Sequence, residues 1–205
     1  VAWEAVRNES YWNKGLPHLD GVTVYIISDR STGLAAFRAG RIDQSASGFD
    51  RLAGLVPDQA PELWQRGIAQ YYAGRFRDCR DMFISHRTVN PDDVENAAWH
   101  FLCVAHGESP AAARKQILPV GPDARVPMRE VYQLFQGRAT PSQVLAAAGS
   151  DPSAQFFGRL YVGLYLEATG DRVKGREHIA IAAQERYARV GGYMHDGARV
   201  HLSRR

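Results

Sequence analysis

His100, Cys103 and His106 stand at i, i+3 and i+6, which puts all three within about 120° of arc on one helix. Imidazole nitrogens and a thiolate are zinc ligands, and a zinc site takes three or four of them in tetrahedral order. Each ligand also needs a partner that fixes its orientation. No fourth ligand stands nearby in the chain, so the cluster reads as one face of a packed helix, with no metal. His195 and His201 near the C-terminus are read the same way. Nucleophilic chemistry has no stronger footing. The chain has no Gly-x-Ser-x-Gly, no phosphate-cradling glycine loop and no metalloprotease histidine pair. A hydrolase must bring nucleophile, base and oxyanion donors together. The reading is therefore non-catalytic and without cofactor. A metal-dependent enzyme is the alternative that the His and Cys cluster keeps open.

Bulk properties narrow the classes further. No apolar run approaches the roughly 20 residues that span a bilayer, and the first residues lack the pattern of a secretory leader. The net charge is +3, but the basic residues are scattered rather than gathered into a stripe, so no nucleic-acid partner is expected. Arg186, Arg189, Arg199, Arg204 and Arg205 make the end of the chain locally basic, as a solvated terminal helix would be. Two cysteines, Cys79 and Cys103, make no disulfide framework. Each lies in a helical pattern and reads as a buried free thiol, which leans the chain toward the cytoplasm.

The elements that must position any site are organised around residues 63–93. Residues 63–73 are good helix formers with apolar side chains on more than one face, as a helix packed on both sides requires. Gly67 sits mid-helix, where it costs roughly 1 kcal/mol relative to Ala, and close approach of a neighbouring helix is a reason to keep it. Gly74 falls where the helix must stop. Phe76, Cys79, Met82 and Phe83 then form the inward stripe of a second helix. Asn90-Pro91 ends the unit, because proline disfavours helical geometry in the residue before it.

Gly67, Ala69, Gly74, Phe76, Phe83 and Pro91 stand at the spacings of the tetratricopeptide repeat of about 34 residues, which this stretch resembles; Cys79 and His86 depart from its pattern. Gly163 and Gly170 repeat the interval between Gly67 and Gly74, 96 residues on and close to three repeat lengths. Two more helix pairs fit between the copies: residues 94–106 with 110–118, turning at Gly107, and 128–136 with 141–148, turning at Gly137. Gly191-Gly192 interrupts the pattern, and residues 193–202 read as a helix that caps the array with a polar outer face. From Phe49 onward the chain resembles bacterial and algal tetratricopeptide proteins of no assigned chemistry, most closely over residues 90–100 and 193–205.

Residues 1–49 read differently. Val22-Thr23-Val24-Tyr25-Ile26-Ile27 has the composition of a buried strand. Residues 28–31 supply a turn and cap, 32–39 a short helix ended by Gly40, and Arg41-Ile42-Asp43 the start of a second strand. Ser45-Ala46-Ser47-Gly48 reads as a linker, followed by a short helix over residues 49–56. Residues 11–17 (YWNKGLP) and 19–23 (LDGVT) are similar to a segment of the extracytoplasmic solute-binding proteins of oligopeptide transporters. Ser31-Thr32, Leu34-Ala35-Ala36, Arg38-Ala39-Gly40 and Ile42-Asp43 continue the likeness, which covers about 40 residues. That family binds peptides between two lobes, and neither is complete here. The resemblance implies ancestry of the segment, an extracytoplasmic lean, and a peptide- or solute-binding role as an alternative.

The expected fold is mainly α: about four tetratricopeptide-like hairpins and a capping helix over residues 50–205, preceded by a small α/β segment over 1–49. In such an array the first helix of each pair lines a concave groove where peptides dock. The repeat register carries Trp64, Ile68, Tyr71 and Tyr72 into that groove, then Ala97, Phe101 and Val104. Val131, Leu134 and Phe135 follow, then Leu160, Leu164 and Glu167. Family members that grip a terminal carboxylate use Lys and Asn there, whereas Ile68 and Tyr72 hold those positions here. The resemblance thus implies a scaffold that binds a protein or peptide through a mainly apolar groove.

Overall fold

The computed structural model describes residues 2–15, 18, 20–25 and 29–204. Ile26, Ile27 and Ser28 of the expected strand and turn lie outside the described residues, as do Leu16, Pro17, Leu19 and Arg205. What is described is mainly helical, with eleven α-helices and one two-stranded sheet. None of these helices is long and apolar enough to cross a membrane.

β1 (Ala2–Val6) pairs antiparallel with β2 (Gly21–Tyr25), in register from Ala2 opposite Tyr25 to Val6 opposite Gly21. The expected strand therefore exists, but its partner precedes it. Arg41-Ile42-Asp43 starts no strand. α1 (Asp29–Arg38) ends ahead of Gly40, the expected stop, which holds a left-handed φ of 71°, and α2 (Ile42–Leu55) follows at once. Ile42, Ala46, Phe49, Leu52 and Ala53 are its buried face, a helical period whose first member the sequence reading gave to a strand. The expected linker at residues 45–48 also lies inside α2. Ser45 is fully buried and its hydroxyl donates to the Gly33 carbonyl at 2.9 Å. One hydrogen bond to α1 removes the usual penalty for a buried hydroxyl.

Four helix pairs follow. They are α3 (Trp64–Tyr72) with α4 (Phe76–His86), α5 (Val94–Gly107) with α6 (Pro110–Lys115), α7 (Met128–Phe135) with α8 (Pro141–Ala148), and α9 (Pro152–Ala168) with α10 (Arg172–Ala182). Each pair packs together, and α4 meets α5, α5 meets α7, and α7 and α8 meet α9. Gly74, Gly137 and Gly170 hold left-handed φ at three of the turns. Gly107 does not. It closes α5, and the turn falls to Glu108 and Ser109, whose hydroxyl caps α6 by accepting from the Ala112 N–H at 3.1 Å. Gly67 is needed for close approach: a Cβ there would lie 2.7 Å from the Phe83 ring.

Cys79 and Cys103 are joined by a disulfide between α4 and α5, with Cα atoms 5.9 Å apart and both residues fully buried. This corrects the free-thiol reading and withdraws the cytoplasmic argument built on it. Each cysteine alone fits an apolar helix face, and only the packing of α4 on α5 brings the two together.

One apolar core runs from Phe37 of α1 through Phe49, Phe83, Phe101 and Tyr161 to Val200. The last helix, α11 (Ala188–Ser203), kinks at Gly192, where the interruption was expected. It packs on α9 and α10 and also reaches α1. There Tyr193 stacks on Phe37 at 5.1 Å between centroids, and Asp196 accepts from Arg38 Nε at 2.6 Å.

Candidate functional site

The residues assigned to the groove divide sharply by exposure. Ile68, Phe101, Val131, Phe135 and Leu164 are core side chains at or below 1% exposure, and Ala97, Val104, Leu134 and Leu160 are buried with them. Tyr71 and Tyr72 keep a sliver of surface, while Trp64 and Glu167 are half-buried. α11 lies against this face. Its Tyr193 meets Trp64 edge-on at 5.2 Å, and its His201 ring meets Tyr72 edge-on at 5.8 Å. His201 Nε2 lies 2.8 Å from a Glu167 carboxylate oxygen, and Nδ1 lies 3.2 Å from the Tyr72 hydroxyl. A neutral imidazole donating to Glu167 accepts from Tyr72.

Two openings remain beside α11. One is a chamber of about 360 Å³ between α3, α4, α5 and α11. Trp64, Phe83, Trp99, Tyr193 and Met194 give it aromatic and thioether walls, and Phe83 lies nearly parallel to Trp99 at 6.3 Å. Its histidine, amide and carboxylates are bound to the frame, while the buried Tyr193 hydroxyl has no hydrogen-bond partner among the described residues. His86 Nδ1 lies 2.7 Å from the Pro61 carbonyl. The Asn96 amide, in the orientation that satisfies it, donates to the Phe83 carbonyl at 2.9 Å and accepts from the Arg87 N–H at 3.2 Å.

Arg125 holds the chamber's acidic side together. Its guanidinium donates to Asp93 at 2.5 Å, to Glu95 at 2.7 Å and to Asp123 at 2.6 Å. Asp93 also caps α5 through the Glu95 N–H at 2.9 Å. Burial by itself would raise the Asp123 carboxyl. Hydrogen bonds from the Arg125 side chain and backbone and from the Val94 N–H outweigh burial and hold it below its usual range. Glu95 goes the other way. Burial and the neighbouring Asp93 raise it, although it accepts from the Tyr161 hydroxyl and from Arg125. A carboxyl with a raised pKa is a candidate acid or base, but both of these oxygens are committed to donors. The Trp99 indole N–H is buried beside the Tyr161 hydroxyl without closing a well-formed hydrogen bond.

The His and Cys cluster does not assemble. The Cys103 sulfur is bonded to Cys79, the His106 ring stacks on Phe76 at 5.4 Å, and His100 is buried. Burial, and then the charge of Arg80, lower the His100 pKa to about 4. Among the described residues no group of three His, Cys, Asp or Glu side chains is placed to hold a metal ion.

Trp64 is the one residue of the expected groove on the chamber wall; Tyr71, Tyr72 and Glu167 line the other opening. The Asp93–Glu95–Asp123–Arg125 cluster escaped the sequence reading because Arg125 lies 32 residues from Asp93, in an irregular loop with no period to reveal it. No protein-family model matches the chain, and no curated protein matches it.

Proposed function

We propose that the chain is a non-catalytic binding module of tetratricopeptide type. It holds a segment of a partner protein by seating a bulky apolar or aromatic side chain in the chamber between α3, α5 and α11. The repeat assignment is supported by an equivalence between the first and last pairs. Phe83 follows Gly67 by 16 residues, and Ile179 follows Gly163 by 16. In each pair the side chain on the second helix sits where the glycine's missing Cβ would be, 2.7 Å away in one and 2.5 Å in the other.

The binding assignment rests on one observation: the chamber's walls are aromatic and its charged and amide groups are engaged within the protein, which leaves the Trp99 N–H and the Tyr193 hydroxyl as its unpaired polar atoms among the described residues. Such a surface gains free energy by burying apolar area and offers aromatic anchors of the kind that dominate interface energetics. Among the described residues its carboxylates and imidazole are engaged, and burial keeps the unpaired Tyr193 hydroxyl protonated. Tyr72 is kept protonated by burial, by the adjacent Tyr71 and Tyr193, and by Glu167, so the Tyr72–His201–Glu167 chain holds α11 rather than activating a group.

Selection of displayed peptides on the full chain, followed by calorimetry, tests this reading. Selected peptides should share one large aromatic or aliphatic residue, and Trp64→Ala should weaken them at least tenfold with the helical spectrum unchanged. Peptides that bind Trp64→Ala as tightly as the parent would contradict it.

A further inference from the structure

The second opening, at the other end of α11, has the opposite character. It is a cavity of about 210 Å³ with Tyr71 and Tyr72 of α3, His106 of α5 and Glu167 of α9 on its walls. Arg172 and Arg176 of α10, His201, and Arg204 just past α11 complete it. Three guanidiniums face a single carboxylate, and that carboxylate is engaged by His201.

The arginines are largely uncommitted. Among the described residues the Arg172 and Arg204 side chains enter no ion pair or hydrogen bond, and Arg204 only lies over the Tyr72 ring at 5.9 Å. Arg176 gives one N–H to the Leu202 carbonyl, which leaves its other donors free. The nearby Asp171 does not neutralise them, since it caps α10 and pairs with Lys174 at 3.3 Å. Tyr71 is only 8% exposed and lines this cavity, and its hydroxyl, bonded to no described residue, keeps a little access to solvent at the cavity wall. A hydroxyl open at the wall of a cavity can donate to an acceptor that enters it.

We propose that this cavity binds the dianionic phosphate of a small phosphate monoester, held by Arg172, Arg176 and Arg204 with the Tyr71 hydroxyl. Guanidinium forks match phosphate oxygens in pairs, and the two positive charges left over after Glu167 match a dianion better than a single carboxylate. The volume leaves room for a small organic group against the tyrosine wall. His106 reports on the same field. Burial depresses it first, and His201 and Arg172 add to the depression against the opposing pull of Glu167. A bound dianion reverses that field and raises it.

The test is an NMR titration of the full chain at low salt with inorganic phosphate, phenyl phosphate, succinate and acetate, reading the His106 ring and the pH at which it titrates. Phosphate and phenyl phosphate should saturate and raise the His106 pKa, with phenyl phosphate the tighter of the two. Arg172→Ala and Arg204→Ala, both at exposed positions, should each weaken phosphate at least tenfold, and Arg129→Ala, outside the cavity, should leave it unchanged. Three results overturn the proposal: no movement of His106 at 20 mM phosphate, equal binding by the Arg172→Ala/Arg204→Ala double variant, or succinate binding as tightly as phosphate. Phenyl phosphate binding no tighter than inorganic phosphate overturns the assignment to a monoester.

Discussion

Tyr72 and His201 share a hydrogen bond of 3.2 Å across 129 residues of chain. It joins the end of the first helix pair's leading helix to α11, and Glu167 anchors the same imidazole from the other side. The C-terminal helix is thus fastened over the face that the repeat register assigns to a ligand. Removing the ring in His201→Ala should cost roughly 1–2 kcal/mol for the lost hydrogen bonds. Amide exchange should quicken over residues 194–203 while α4 and α5 stay protected. Unchanged exchange in α11 would mean that apolar packing alone holds it.

The helix pairs make opposite predictions for two glycines. A Cβ at Gly163 would meet Ile179 Cγ1 at 2.5 Å and the Gly175 carbonyl at 2.7 Å. Gly163→Ala should therefore destabilise by about 1–3 kcal/mol through overpacking against backbone. Gly54, in α2, has nothing within 4 Å of such a Cβ, so Gly54→Ala should be neutral or stabilise by up to about 1 kcal/mol through helix propensity. Denaturant titration of the two variants compares them directly.

Asp50 ties α2 to the first pair. It accepts from Arg66 Nε at 2.7 Å, from Arg75 Nη1 at 2.6 Å and from the Gln70 amide at 3.2 Å. Burial by itself would raise the carboxyl, but the hydrogen bonds from Arg75 and Arg66 outweigh it and hold it below the ordinary 3.8. A depressed carboxylate contributes its full stability above pH 3.8, and loses it as pH falls through the lower folded value. Asp50→Asn should thus lose about 1–2 kcal/mol at pH 7, discounted for partial exposure. It should flatten the acid limb of the stability curve below pH 4. A variant with the parent's acid limb would show that Asp50 carries none of it.

The leading helices and turns of the first and last pairs were legible from the spacing of Gly67 and Gly74 against Gly163 and Gly170, because turn conformation and close approach both demand glycine. Of α2 only the second half was legible, in the helix expected over residues 49–56; the first half was not, because Ser45 and Gly48 have linker composition and the carbonyl that accepts from Ser45 belongs to another helix. Site residues fared worse for the same reason. Register predicts which helical face a side chain occupies, but whether it sees solvent depends on what packs there: Phe135 and Tyr165 close over Phe101, and the return of α11 covers Trp64 and Tyr72. That return is set by Tyr72, Phe37 and Arg38, remote in sequence and bearing no local signal.

The Cys79–Cys103 bond closes a loop across a sequence separation of 24 residues, and such a loop stabilises by about 3 kcal/mol in the chain-entropy description. Reduction should lower the unfolding midpoint accordingly. A thiol reagent should find no free sulfhydryl in denaturant until reductant is added. Two titratable thiols in the unreduced, denatured chain would contradict the pairing.

The most direct measurement is fluorine NMR of protein carrying fluorotryptophan, titrated with a selected peptide. The chain has four tryptophans, Trp3, Trp12, Trp64 and Trp99, and the last two line the chamber. The account predicts that Trp64 and Trp99 shift together and saturate at the calorimetric affinity, while the exposed Trp12 stays still. Saturable binding with the Trp64 and Trp99 signals unmoved would place the partner elsewhere and contradict the chamber as its site.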